Sequence, residues 1–374
     1  AITSYAGKTI SVRLDGRNAS ATAVCDTQSF SISPPGALPL ARRTFSLVDL
    51  PDLELAGDLV PAAANTWFGA APVPAVYHGF LRVLARLVKL GLLRSLSPLA
   101  PLMHWVFSRF RFGEHRGGLF VEMSGTGKNG MPASCSWHLV AEGDDGPRIP
   151  VLAAEAIIRK CLENDFPVAG ARPAHRELEL AELESLFATL NIRWGERLRN
   201  QDPPLVARIL GNRWSEMPEA LRELHDVNDE TTWHGEATVT RGTSLLSKFI
   251  AAMVGFPPAG ETVPVKVTLQ RRGDSETWRR DFSGHRFSSV ITTSNRGRYA
   301  ALFRERFGPV SVGMALVIDG ETLHLVPVTW SLFGIPMPRR MLPRGRMCEY
   351  SDSGRFRFYV EIRLPVAGHV VTYA

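Results

Sequence analysis

Glycine punctuates the second half of this chain at nearly regular intervals. Gly273, Gly284, Gly297, Gly308, Gly320, Gly334, Gly345, Gly354 and Gly368 follow one another at gaps of 9 to 14 residues. Tight turns often need positive φ, which glycine adopts without steric cost, so the spacing marks turns. The runs between them read as strands. In residues 355–363, RFRFYVEIR, the side chains of Phe356, Phe358, Val360 and Ile362 fall on one face and the charged residues with Tyr359 on the other. Regular turns joined by period-two strands predict an antiparallel meander curled into a barrel or half-barrel. Helical patterns at 205–225 and 244–254 (SLLSKFIAAMV) place short helices ahead of it.

The first half mixes element types. Residues 9–14 (TISVRL) and 21–25 (ATAVC) read as short strands, and 118–124 with 133–141 as a hairpin. A helix is predicted over 150–164, opening on Pro150, and Leu180, Leu183, Leu186, Phe187 and Leu190 share one face of another. Residues 1–194 carry 19 basic and 18 acidic groups, whereas residues 195–374 carry 24 and 19. The shift falls beside a polar, proline-bearing stretch, Asn200, Gln201, Asp202, Pro203 and Pro204, in which paired prolines cannot continue a helix. The sequence therefore predicts an α+β chain: a mixed α/β sheet domain over 1–194, a linker at 195–204, and a β-rich domain over 205–374.

Composition excludes several classes. Of 374 residues, 45% are hydrophobic and 21% charged, as expected of a folded globular chain. The net charge of +6 is the difference of 43 basic and 37 acidic residues and forms no polybasic tail, so nucleic acid is not an expected partner. Cys25, Cys135, Cys161 and Cys348 lie far apart in no metal-binding spacing, which predicts neither a metal site nor a disulfide framework and fits a reducing cytoplasm. The chain opens at Ala1, without a secretory leader and inside strand-like sequence, which reads as a piece of a longer protein.

Residues 125–130 (GTGKNG) match the glycine pattern of dinucleotide-binding loops. In those loops the last glycine leads into a helix whose amides meet the pyrophosphate. Here Pro132 and the strand-like ASCSWHLVA follow, so Gly125, Gly127 and Gly130 with Lys128 and Asn129 read as a hairpin turn. The P-loop spacing is also absent.

Longer motifs carry a resemblance. RGGLFVEMSGTGKNG (116–130), WHLVAEGDDGPRIPVLAAEAIIRK (137–160) and GARPAHRELELAELE (170–184) resemble the C-terminal part of saccharopine-dehydrogenase-like oxidoreductases. MPEALRELH (217–225), GEATVTRGTSLLSKFIAAMVGFPP (235–258), RERFGP (304–309), GIPMPRRMLP (334–343) and LPVAGHVVTYA (364–374) look like domain of unknown function 4166. The first resemblance implies a redox parent binding NAD or NADP through an N-terminal Rossmann half. No strand, glycine loop and helix of that kind occurs in this chain, so it implies no cofactor held by these residues.

No GxSxG elbow or paired-histidine motif occurs, so no catalytic residue is assigned. His225 closes a helical pattern and reads as a helix-end histidine near the last carbonyls; His138, in a strand, reads as structural. Residues 59–113 contain no Asp or Glu yet hold Arg82, Arg86, Lys89, Arg94, Arg109 and Arg111. Arg82, Arg86 and Lys89 form a cationic stripe on a leucine-rich helix. The stripe has three readings: a solvated face, contact with an anionic membrane surface, or a homo-oligomer interface.

In the β-rich half, Trp278, Arg280 and Phe282 share one strand face, as do Phe303, Glu305 and Phe307. If both faces point inward, these six line a pocket and Arg280 must pair with Glu305, because an isolated interior charge is prohibitive. The leading expectation is thus the C-terminal part of a saccharopine-dehydrogenase-like oxidoreductase, with a β module that binds an apolar or amphipathic small molecule. The alternative is a non-enzymatic binding or scaffold protein, cytoplasmic and peripheral to the inner face of a membrane.

Overall fold

The computed structural model describes residues 2–109, 114–127, 130, 132–174, 177–198, 203–294 and 297–374. Arg111, Lys128, Asn129, Asn200, Gln201 and Asp202, singled out above, lie outside the described residues. The chain divides into two compact units, one of Ala1–Ser31 and Ala41–His115, the other of Ile32–Leu40 and Arg116–Ala374.

The first unit holds α1 (Ile2–Tyr5), β1 (Thr9–Leu14), β2 (Arg17–Thr22), β3 (Thr27–Phe30), β4 (Arg43–Leu47), α2 (Asp52–Leu59), β5 (Gly69–Ala70), α3 (Ala75–Lys89) and α4 (Ala100–Arg109). Strands β1 and β2 form a hairpin through Asp15 and Gly16, both at positive φ, and β3, β4 and β5 form a separate antiparallel sheet. The strand expected at 21–25 stops at Thr22, because Val24 adopts φ 68°, which no strand can contain. Helix α3 packs on this unit through Leu81 and Ala85, and His78 shares a 2.8 Å hydrogen bond with Ser46 of β4.

In the second unit, β6 (Gly117–Thr126), β7 (Pro132–Ala141) and β8 (Ile192–Leu198) make a three-stranded antiparallel sheet. The glycine motif lies where β6 turns into β7, as the hairpin reading expects. Helices α5 (Ile149–Leu162) and α6 (Leu180–Phe187) cover one face, burying Leu139, Leu152, Leu186, Phe187 and Ile192. The expected helix over 205–225 is broken: α7 (Leu205–Leu210) ends at Gly211 with φ 54°, and α8 (Glu219–His225) restarts after Pro218.

The rest is a closed antiparallel barrel of ten strands. These are β9 (Glu230–Arg241), β10 (Gly260–Arg272), β11 (Ser275–Phe282), β12 (His285–Ser294), β13 (Leu302–Phe307), β14 (Val310–Asp319), β15 (Thr322–Leu332), β17 (Met347–Asp352), β18 (Arg355–Leu364) and β19 (Gly368–Tyr373), with β16 (Ile335–Pro336) a short appendage of β15. Each strand pairs with the next in sequence, and β19 closes the ring on β9. All nine spaced glycines have positive φ, between 52° and 122°. At Ser283–Gly284 both turn residues have positive φ, the two-residue geometry that matches strand twist.

Helices close both mouths of the barrel. At one, α7 and α8 pack Leu205, Leu210 and Leu221 against Leu269, Trp278 and Phe303 of the strands. At the other, α9 (Leu245–Val254), capped by Ser244, lies over Phe282, Phe287 and Tyr373.

Candidate functional site

Alternation along β11 and β13 brings the six expected residues into the barrel. Trp278 and Phe303 join the apolar cluster at the α7–α8 mouth, their rings 5.8 Å apart. Phe282, with Phe307 packed against its cluster, lies toward α9. Arg280 and Glu305 sit at the junction. Arg280 Nη2 donates to Glu305 Oε1 at 2.9 Å, and Nη1 donates to Ser289 Oγ at 2.9 Å. Ser289 then donates to the same Glu305 oxygen at 2.7 Å, so one carboxylate oxygen accepts two bonds. The guanidinium also lies 5.0 Å from the Trp278 ring centre and 5.5 Å from that of Phe287.

Beyond Trp278 stands a second polar pair. The ring of His225, at the end of α8, lies tilted against Trp278 at 5.6 Å, and its Nε2 lies 2.6 Å from Glu349 Oε2 of β17. The ring thus meets a carboxylate across the barrel rather than its own helix carbonyls. Burial disfavours the charged imidazole, yet the Glu349 charge and hydrogen bond, with the charge of Glu276, hold its pKa above the usual value. Glu276 accepts from Trp278 Nε1 at 3.2 Å and from the first backbone N–H of α7, on Leu205, at 3.2 Å. His225 and Trp278 are buried and Arg280 nearly so, and the three follow one another in contact through the barrel interior.

His138 is buried on the three-stranded sheet. Its ring stacks on Phe120 at 5.9 Å, and Nδ1 accepts from the Ser33 N–H at 3.4 Å. Burial and then the charge of Arg197 push its pKa down to about 3, so it is neutral at pH 7.

The α3 stripe is uneven. Arg86 and Lys89 are exposed, whereas Arg82 is half-buried and its Nε has no hydrogen-bond partner among the described residues. Beside the cations, Val76, Phe80, Val83 and Leu90 form an exposed apolar stripe. No described helix is long and apolar enough to cross a membrane.

An open cavity of the second unit lies on the barrel wall. Strands β15 and β17 pair only from Thr322↔Tyr350 to His324↔Cys348 and then part. A cleft of about 440 Å³ occupies the seam, lined by Leu325, Val326 and Pro327 on one side and Gly345, Arg346 and Met347 on the other. The segment 36–38 covers it, held where the Ile318 N–H donates to Gly36 O at 2.9 Å. A side chain at Gly36 would meet Ile318 at 3.0 Å, and its φ of 66° also favours glycine. Leu325 and Met347 pack against the interior cluster, so the cleft floor is the edge of the barrel core. Ionisable residues also line the cleft: Glu142, Arg193, Asp319, His324 and Arg346. Sequence spacing gives no sign of this site, whose walls come from residues up to about 300 positions apart, although Glu276 and Ser289 carry the same inward period as Trp278 and Ile291.

Among the described residues, no group of three or more His, Cys, Asp or Glu side chains is placed to hold a metal ion. Residues 217–374, from α8 through the barrel, match the family model of domain of unknown function 4166. No curated protein and no solved structure matches the chain, and nothing in the comparisons supports the saccharopine-dehydrogenase resemblance of the first half.

Proposed function

We propose that the second unit is a binding module for an amphipathic small molecule, held in the cleft between the 36–38 segment and the parted strands β15 and β17. The cleft itself carries the reading: its volume of about 440 Å³ falls within the range of small-molecule sites. An apolar body would lie on Leu38, Val326 and Met347, and a polar end would meet Arg193 and Arg346 at the mouth. As the first-half motifs imply, the chain is the C-terminal part of a saccharopine-dehydrogenase-like oxidoreductase, which would use NAD or NADP where a Rossmann half accompanies it. Calorimetric titration with decanoate, decylamine and decanol tests the cleft. Saturable binding tighter than about 1 mM, lost in Val326→Trp with its melting temperature unchanged, supports it. Equal binding by the filled variant, or none by any of the three, refutes it.

A second reading rests on α3, whose exposed apolar stripe runs beside Arg86 and Lys89. That arrangement suits a helix lying in the headgroup layer of an anionic membrane. Vesicle binding that survives Arg82→Glu, Arg86→Glu and Lys89→Glu together would exclude it.

A further inference from the structure

Every large apolar side chain left exposed by the described barrel residues belongs to one mouth. Helix α9 turns Leu245, Phe249 and Met253 outward at i, i+4 and i+8, with Leu245 86% and Phe249 65% exposed. Its opposite side, Ser247 and Ala251, is buried. A helix that merely capped a barrel would turn polar residues to water. The connection between β15 and β17 adds Phe333, 77% exposed, with Ile335 and Met341, and the turn between β18 and β19 adds Val366 at 76%. The start of α9 is tied to this last turn, where the Ser244 hydroxyl donates to Ala367 O at 2.9 Å.

Charge at this mouth has one sign. The connections here, residues 242–259, 283–284, 308–309, 333–346 and 365–367, contain no Asp or Glu. They hold Lys248, Arg339, Arg340, Arg344 and Arg346, all exposed and none in an ion pair among the described residues. The acids next to these connections are Glu261 at the start of β10, Asp281, which is bonded to Arg286, and Glu361 of β18, which is bonded to Arg363 and whose N–H donates to Arg346 O. At the opposite mouth the turns carry Asp274, Glu321 and Arg298 and no exposed large apolar side chain.

We infer that this mouth docks on an anionic lipid surface, with α9, Phe333 and Val366 in the headgroup boundary and Lys248, Arg339 and Arg340 against lipid phosphates. Symmetric pairing with a second copy would bring the same cations face to face. An anionic bilayer accepts both the apolar side chains and the charge. The inference shares only the Arg346 side chain with the ligand cleft, uses other residues for docking, and places membrane contact on residues other than the α3 stripe.

Co-sedimentation of the full chain with phosphatidylcholine vesicles, with and without phosphatidylserine, tests it. Binding should require phosphatidylserine and weaken with added salt. Phe249→Asp with Phe333→Asp should lower partitioning by about tenfold or more, since burying one phenylalanine is worth roughly that factor. Arg339→Glu with Arg340→Glu should lower it at least about fivefold for each cation lost. Both pairs are exposed, so circular dichroism melts should match wild type. Absence of binding to the mixed vesicles, or equal binding by wild type and both double variants, would overturn the inference. So would loss in the triple α3 variant alone, or a dimer seen in ultracentrifugation that Phe249→Asp dissolves without vesicle binding.

Discussion

Replacing Arg280 and Glu305 singly and together gives the sharpest test of the barrel interior. Both side chains are 11% exposed and meet at 2.9 Å, with Ser289 bridging them. Arg280→Met leaves the Glu305 carboxylate with only the Ser289 hydroxyl, and Glu305→Leu leaves the guanidinium against Trp278 and Phe287 with no countercharge. Each single change should cost about 3 to 5 kcal/mol, the usual range when one member of a buried pair is removed. The double variant removes the uncompensated charge and should cost less than either single change. The coupling energy should therefore exceed about 2 kcal/mol. Urea unfolding of all four proteins, with slopes compared to check that the same surface unfolds, supplies the numbers. Additive losses would refute the argument, because they would mean that the two side chains do not sense each other.

The two buried histidines should titrate in opposite directions. His138, with a folded pKa near 3, should stay neutral down to about that pH; unfolding then takes up a proton, and stability falls below pH 6.5 by at most about 1.4 kcal/mol per unit. His225, raised by Glu349, should contribute stability fully below about pH 6.5 and lose it as pH rises through its folded value. Imidazole NMR titration checks both, and a His138 that titrates near 6.5 or a His225 that titrates below it would contradict the geometry. Titration with NADH and NADPH should show no binding tighter than about 100 μM, because the glycine motif lies in a hairpin and offers no helix amides. Glu276→Gln should destabilise the barrel by about 1 to 3 kcal/mol, since it weakens bonds to both Trp278 and the start of α7. An unchanged urea midpoint would show that the carboxylate does not anchor α7.

The barrel was legible because its signals are local: positive-φ glycines at the turns and period-two strands between them. The same period pointed Trp278, Arg280 and Glu305 inward. Closure was not legible, since half-barrel and full barrel share the same alternation and differ in how far the sheet curls. The break between α7 and α8 is hard to see because Gly211 and Pro218 sit inside the helical pattern at 205–225. His225 closes α8 as its pattern indicates, but its partner was not legible, because Glu349 is 124 residues away. On α3, apolar residues at most positions hide which face packs, and only the fold separates buried Leu81 and Ala85 from exposed Val76 and Phe80. The cleft was invisible because it exists only where two strands part and the distant segment 36–38 crosses the gap.

Photo-crosslinking tests the binding reading most directly. A diazirine-bearing decanoate irradiated with the full chain, followed by peptide mass spectrometry, reports where the ligand's apolar body rests. Label concentrated on peptides containing 36–38, 324–327 and 345–347, and displaced by unlabelled decanoate, is the predicted result. Label confined to α9 and Phe333, or spread over the surface without displacement, would contradict the account.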